Sequence, residues 1–266
     1  MTIVDEVLAD LAAEGDDVER LVADLPLSDW MLATPAPRWT IAHQIGHLAS
    51  GDELALLAAT DPVAFGGRRG DLAGDFDSFA DADAARAAAT PPADLLRRWR
   101  TARGSLGDVL AGLPPGQKVP WMAGPMAPAT LASSRIREVF AHGQDIADAL
   151  GVRRAPTGRI QHVARFGVRT RDFSYLARGL TPPEDQFRVE LTAPDGQLWA
   201  WGPQDASQLV SGPAVDFCLL VTQRRHRDDL ALIARGAEAD QWLGIAQAYV
   251  GPVGRGREPG QFAATP

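Results

Sequence analysis

The chain has little that would place it in an oxidising compartment or in a membrane. Its 266 residues include one cysteine, Cys218, so an internal disulfide is excluded. No run approaches the roughly 20 consecutive apolar residues that a membrane helix needs. Residues 1–10 lack the basic start and long apolar stretch of a secretion signal. These absences predict a cytoplasmic protein with no membrane partner.

An excess of positive charge is also absent. Lysine and arginine number 26 against 34 aspartate and glutamate residues, which gives a net charge of −8. Because gripping a nucleic-acid backbone needs a basic surface, no nucleic-acid partner is expected. The hydrophobic fraction of 45% is that of an ordinary globular protein, and the length suits one large domain or two modest ones.

Apolar residues at helical spacing predict a mainly α protein whose first part, residues 1–155, is an antiparallel bundle of four long helices. These helices are predicted at residues 3–25, 40–59, 93–113 and 129–150. The last is closed by Gly151, the residue type that favours the left-handed conformation after a helix end. Residues 63–81, rich in glycine and aspartate, and the proline-rich residues 114–128 are predicted to be long loops. A short helix is predicted at residues 80–89.

The pattern changes after Pro156 and predicts a small α+β domain at residues 156–250, followed by a flexible tail at 251–266. Two alternating runs, 187–191 and 198–201, are separated by an Ala-Pro-Asp-Gly turn and predict a β-hairpin. Helices are predicted at residues 159–178, 214–222 and 240–250.

Two of the bundle helices carry polar side chains where core residues belong. His43 and His47 are four residues apart and share a face, as do Glu138 and His142, with Asp145 on the next turn. Apolar residues flank both sets, so both faces are expected to be at least partly buried. A buried imidazole or carboxylate needs a partner. Two such helices side by side can satisfy each other by holding one divalent metal ion.

His47, Glu138 and His142 form a set of two imidazoles and one carboxylate. Such a set suits zinc with an open fourth position, the arrangement of catalytic zinc sites. It also suits iron or nickel. A hydrogen-bonded pair of Glu138 and His142 within one helix is the alternative that needs no metal.

The motifs resemble the mycothiol-dependent maleylpyruvate isomerase family, a group of DinB/YfiT-like metal-binding bundles. The resemblance is carried by Trp39-Thr40-Ile41 and His47-Leu48-Ala49, then by Arg135, Glu138, His142, Asp145 and Asp148-Ala149-Leu150-Gly151. The runs at 188–196 and 212–218 resemble an actinobacterial branch with a C-terminal domain like that of wyosine-formation proteins. The resemblance implies a DinB-like four-helix bundle, with His47, Glu138 and His142 as the metal ligands and mycothiol as the thiol cosubstrate.

The expected function is therefore that of a metal-dependent enzyme that uses a low-molecular-weight thiol, mycothiol, for isomerisation or S-transfer on a small electrophilic substrate. A metal-dependent hydrolase and a non-catalytic metal-binding bundle are the alternatives. Zn²⁺ is the expected ion, with Ni²⁺ or Fe²⁺ as the other candidates. The protein is expected to be a monomer or a homodimer.

Three further residues are catalytic candidates beside the metal ligands. His43 is a candidate for positioning a ligand, for carrying a proton or for acting as a fourth ligand. Arg135 is a candidate for meeting an anionic substrate or the carboxylate of the thiol cofactor, with pairing to Glu138 as the alternative. Asp145 is a candidate for orienting an imidazole, with pairing to a nearby arginine as the alternative. A pocket walled by the two predicted loops is expected at the metal.

Overall fold

The computed structural model describes residues 2–72, 76–249 and 251–262, and the chain divides into two compact units, Met1–Arg154 and Ala155–Pro266. The described part is mainly helical, with a small four-stranded sheet in the second unit. The predicted fold class, mainly α with an α+β C-terminal part, is confirmed. No helix among the described residues is long and apolar enough to cross a membrane.

The first unit is built from helices. They are α1 (Ile3–Val22), α2 (Ile41–Thr60), α3 (Pro62–Leu72), α4 (Phe76–Ala88), α5 (Pro92–Gly112) and α6 (Pro128–Leu150). Helix α2 packs against α3, α4, α5 and α6, and α1 packs against α5 and α6. Buried side chains such as Ile45, Leu48, Leu106 and Leu131 fill the space between these helices. Since burial of apolar area is the main favourable contribution to folding, these buried side chains hold the helices, including α2 and α6, together.

The ends of the site-bearing helices follow the sequence signals. Thr40 precedes α2 as its N-cap and forms a capping box with His43. Helix α6 begins at a proline and ends before Gly151, whose φ of 65° lies in the left-handed region. Both helices therefore start and stop within two residues of the predicted positions.

The loop predicted at residues 63–81 is wrong where the structure describes it. Residues 62–72 form α3 and α4 begins at Phe76, whereas Ala73, Gly74 and Asp75 lie outside the described residues. Glycine lowers helix propensity by only about 1 kcal/mol per residue, which burial of an apolar face outweighs. Phe65 and Ala87 supply that face. A Cβ atom at Gly46 of α2 would lie 2.6 Å from the Cβ of Ala87, so the glycine is what allows α4 to approach α2 closely.

The second unit combines helices with a mixed sheet. Its elements are α7 (Ile160–Arg169), α8 (Arg171–Leu176), β1 (Phe187–Thr192), β2 (Leu198–Trp201), β3 (Gln208–Pro213), α9 (Ala214–Val221), β4 (Ile233–Arg235) and α10 (Ala237–Ile245). The strand order is β2-β1-β3-β4, with β1 and β3 parallel and the outer pairs antiparallel. The predicted hairpin is confirmed as β1 and β2, in register from Val189 opposite Trp201 to Thr192 opposite Leu198.

Three features of the second unit differ from the sequence prediction. The helix predicted at 159–178 is interrupted at Thr170, whose hydroxyl donates to the carbonyl of Gln247. The last helix begins three residues earlier than predicted and ends at Ile245. Strands β3 and β4 were not predicted, because β3 ends in Ser-Gly-Pro and β4 has only three residues.

Candidate metal site

His47 of α2 and the pair Glu138 and His142 of α6 meet at one point. The Oε2 atom of Glu138 lies 3.5 Å from His47 Nε2 and 3.4 Å from His142 Nε2. One ligand atom from each of the three residues lies within 4.8 Å of the other two. Across the described parts of the chain, no other group of three histidine, cysteine, aspartate or glutamate residues is so arranged. The structure thus brings the three predicted ligands together.

The helix packing explains why these side chains are only partly buried. Leu48 and Val139, the residues that follow His47 and Glu138, point into the core. The polar side chains therefore lie at the rim of the interface between α2 and α6. They remain 21%, 20% and 12% exposed for His47, Glu138 and His142. A partly open rim lets an ion and a ligand reach the site, which a sealed core would not.

Glu138 is held in its anionic form. Burial by itself would raise the pKa of Glu138, but the adjacent positive charge of Arg137 and the hydrogen bonds with His142 and His47 outweigh it. The pKa of Glu138 is therefore well below its usual range. Arg137 pairs directly with the other carboxylate oxygen, Oε1. A carboxylate that stays ionised next to two imidazoles is a suitable donor for a divalent cation.

Gln44 contacts the far side of His142 and was not predicted as a site residue. Its amide oxygen lies 2.6 Å from His142 Nδ1. Its amide nitrogen donates to Thr34 Oγ1 at 2.9 Å and to Asp145 Oδ2 at 3.5 Å. Gln44 is completely buried, and buried polar groups are nearly always hydrogen-bonded. The signal that could have identified it is an amide among the core positions Ile41, Ile45 and Leu48 of α2.

The indole of Trp39 covers both imidazoles. Its ring centroid lies 5.2 Å from that of His47 and 5.8 Å from that of His142, on which it stacks at an interplanar angle of 21°. The indole N–H donates to Asp81 of α4 at 2.7 Å, and Arg38 also pairs with Asp81. Helix α4, which was predicted only over residues 80–89, thus supplies the carboxylate that fixes the indole of Trp39.

His43 lies outside the ligand cluster. Its Nδ1 accepts from the Thr40 backbone N–H at 3.3 Å and lies 2.8 Å from the Thr40 hydroxyl. Burial lowers the pKa of His43, opposed by the negative charge of Asp81. His43 is therefore a neutral side chain that completes the capping box of α2. Its Nε2 atom is left as the one that can carry a proton.

Arg135 forms a buried ion pair rather than facing a substrate. Its Nε donates to Asp52 Oδ1 at 2.7 Å, and the two side chains are 4% and 2% exposed. The other Asp52 oxygen accepts from Trp99 Nε1 at 3.1 Å. A buried guanidinium needs a carboxylate partner, and α2 supplies Asp52 in place of the predicted alternative, Glu138. The pair ties α2 to α6 next to the ligands.

Asp145 is fully buried behind the imidazole of His142, where it accepts from Gln44. Asp145 thus contacts Gln44, whose amide oxygen contacts His142.

In the proline-rich segment, Trp121 stacks on Phe65 of α3 at 5.8 Å, and Arg69 donates to the Trp121 carbonyl at 3.4 Å. A pocket walled by this segment at the ligand cluster stays a prediction.

Comparison with known proteins agrees with the order of these elements. The family described as the mycothiol maleylpyruvate isomerase N-terminal domain matches residues 11–147, and the family described as wyosine base formation matches residues 183–235. An uncharacterized protein of Mycobacterium tuberculosis, found in strains CDC 1551 and H37Rv, is 50% identical over 250 residues. The match covers 94% of this chain and 97% of that protein.

Two solved structures are similar in fold. The crystal structure of mycothiol-dependent maleylpyruvate isomerase has a TM-score of 0.53 at 15% identity, and that of a mutant with one histidine replaced by alanine has a TM-score of 0.55 at 13% identity. Each match covers 83% of this chain and 90% of the other. The chain belongs to the family defined by the mycothiol maleylpyruvate isomerase N-terminal domain, and it carries in addition a region like that of wyosine base formation.

Proposed function

We propose that this protein is a metal-dependent enzyme that uses mycothiol for isomerisation or S-transfer on a small electrophilic substrate. The observation that carries the proposal is the approach of two imidazole Nε2 atoms to one carboxylate oxygen, in a chain of this family. The two similar solved structures are of a mycothiol-dependent maleylpyruvate isomerase.

The donor set fits a divalent ion. Two imidazole nitrogens and one carboxylate oxygen are the protein ligands of many catalytic zinc sites, which keep a fourth position open. His47 and His142 would supply the nitrogens and Glu138 the oxygen. The same set accepts Ni²⁺ or Fe²⁺, so Zn²⁺ is the ion proposed first. When bound, the ion and the thiol would supply a nucleophilic thiolate, which can add to an activated alkene and then leave after bond rotation or stay attached.

The chain's own residues prepare the site for this role. Arg137 keeps Glu138 ionised, so the site offers a negative charge to a cation. Trp39 stacks on His142 and packs at a tilt against His47, which restricts the positions of both rings. The proposed role of His43 is to carry a proton on Nε2, since its Nδ1 is bonded to Thr40. Arg135 and Asp145 are buried, and their proposed role is to hold α2, α6 and Gln44 in place.

The test is turnover by the metal-loaded protein. Maleylpyruvate should be isomerised in the presence of mycothiol and not in its absence, and Glu138→Gln should abolish the activity. The matched control is Gln144→Met, which changes a half-buried side chain of α6 that bonds Asp148. Thiol-independent hydrolysis of a model ester would support the hydrolase instead. Bound metal without turnover of either kind would favour a non-catalytic metal-binding bundle.

A further inference from the structure

The contacts of Gln44 fix the direction in which each hydrogen bond around it is donated. The chain of bonds begins at the carbonyl of Trp39, which can only accept. Thr34 Oγ1 lies 2.8 Å from this oxygen, so the Thr34 hydroxyl donates to it. Thr34 has then used its hydroxyl proton, and Oγ1 must accept. The group 2.9 Å away is therefore the NH₂ of Gln44.

The other side of Gln44 gives the same orientation. A carboxylate oxygen of Asp145 lies 3.5 Å from the Gln44 nitrogen and accepts from it. With both amide protons assigned, the Gln44 oxygen must face His142 Nδ1, from which it is 2.6 Å away. Nδ1 of His142 must then carry the proton. All hydrogen-bonding groups of the buried amide are satisfied in this arrangement and in no flipped one.

We propose that Gln44 is a positioning residue that fixes His142 in the Nδ1–H tautomer and so presents the Nε2 lone pair to the ligand cluster. Without this bond, the neutral imidazole would prefer the other tautomer, because Nε2–H can donate to the Glu138 oxygen 3.4 Å away. Gln44 thus keeps Nε2 of the neutral His142 from donating to Glu138. In this neutral form, Nε2 of His142 and the Glu138 oxygen are two acceptors facing each other, and a cation between them relieves the repulsion. A hydrogen bond from Nε2 to Glu138 needs the protonated imidazole.

The arrangement also connects the aromatic cover to the ligand. Trp39 stacks its ring on His142 and ends the hydrogen-bond chain with its own carbonyl. The backbone N–H of Thr34 donates to the same carbonyl at 2.8 Å, which holds the segment in place. The ring plane of His142 is therefore restricted by the loop that precedes α2, and its proton position is tied to the same loop through Gln44. The statement about the ion rests on the proposed function, whereas the tautomer does not.

The direct test is the tautomer of His142 in metal-free, ¹⁵N-labelled protein at about pH 8, where imidazoles are ordinarily neutral. Long-range ¹H–¹⁵N correlation spectra distinguish the two ring nitrogens, and the chain has only 5 histidines to assign. The wild-type protein should show Nδ1–H, and Gln44→Met should shift His142 toward Nε2–H. Nε2–H in the wild-type protein would overturn the proposal without any variant, as would an unchanged Nδ1–H tautomer in folded Gln44→Met.

A zinc titration tests the consequence for the ion. Gln44→Met should bind zinc about 10–100-fold more weakly than the wild-type protein, as is usual when the group orienting a metal-bound histidine is removed. Gln144→Met, the matched change on α6, should bind as the wild type does. Equal affinity of Gln44→Met would overturn the positioning role. If neither the wild-type protein nor either variant binds zinc, while the tautomers behave as expected, the proposed function fails and the role of Gln44 in fixing the tautomer stands.

Discussion

At the scale of single residues, the site depends on ligand side chains that are held by neighbouring residues. Glu138 is kept anionic by Arg137, and Gln44 lies behind His142. Helix periodicity predicted the faces that His47, Glu138 and His142 occupy. It could not predict Gln44, because the direction in which an amide bonds depends on the helix opposite.

The first prediction concerns a ligand. His142→Ala should lose most of its bound zinc, because two donors remain where three converge. The fold should persist, since the apolar core contributes far more than one imidazole at the rim of the helix interface. Elemental analysis and circular dichroism measure the two outcomes, with Gln144→Ala as the matched change on α6. Full metal content in His142→Ala would show that this imidazole is not a ligand.

The second prediction concerns His43, whose pKa burial lowers. The unfolded chain takes up a proton near the ordinary histidine value of about 6.5, whereas the folded chain takes it up at lower pH. The contribution of His43 to stability is therefore fully present above about pH 6.5 and is lost as the pH falls through the folded pKa.

His43→Gln keeps an acceptor for the Thr40 N–H, since glutamine serves in capping boxes. The free energy of unfolding, measured by urea denaturation between about pH 7.5 and about pH 5, should fall less with acid in this variant. Parallel pH profiles for variant and wild type would contradict the account. Loss of turnover in a variant of unchanged stability would support the proposed proton-carrying role.

At the scale of elements, the arrangement of α2 and α6 decides the site. Both helices could be predicted from capping residues and apolar periodicity, because those signals are local. Helix α3 could not, because its glycines weaken helix propensity, and α4 was predicted only in part, as a short helix at residues 80–89; packing of both helices on α2 offsets this weakness. The pairing of Arg135 with Asp52 was missed for the same kind of reason. It depends on the rotation of two helices about their axes, which no single segment encodes.

A third prediction follows for the tie between α2 and α6. Arg135→Met should lower the free energy of unfolding by about 3–5 kcal/mol, because it leaves the Asp52 carboxylate buried without its cation. Arg97→Met is the matched control on α5, where an exposed pair with Asp94 contributes at most about 1 kcal/mol. Urea denaturation measures both. Equal stability of the two variants would show that the buried pair does not hold the helices.

At the scale of the whole molecule, two compact units divide the chain, and the three converging donors belong to Met1–Arg154. The second unit, with its mixed four-stranded sheet, matches the wyosine base formation family over residues 183–235. The first unit has a large cluster of buried apolar side chains that does not include the three ligands. The metal is therefore not expected to be the main source of stability.

The fourth prediction is that chelation leaves the protein folded. The far-UV circular dichroism spectrum should be unchanged after chelation, and adding zinc back should raise Tm by mass action. Free zinc at about 100 times Kd adds about 2.7 kcal/mol to the free energy of unfolding. Unfolding on chelation would identify a structural metal and would weaken the proposal of an enzyme.

The fifth prediction tests the central claim, that this site binds a metal which accepts a thiol. Cobalt-loaded protein should show visible absorption typical of a coordinated ion, and mycothiol should add a thiolate-to-cobalt charge-transfer band that saturates with concentration. The band should be absent in Glu138→Gln and present in Gln144→Met. No spectral change at saturating mycothiol, in protein that holds cobalt at His47, Glu138 and His142, would contradict the account.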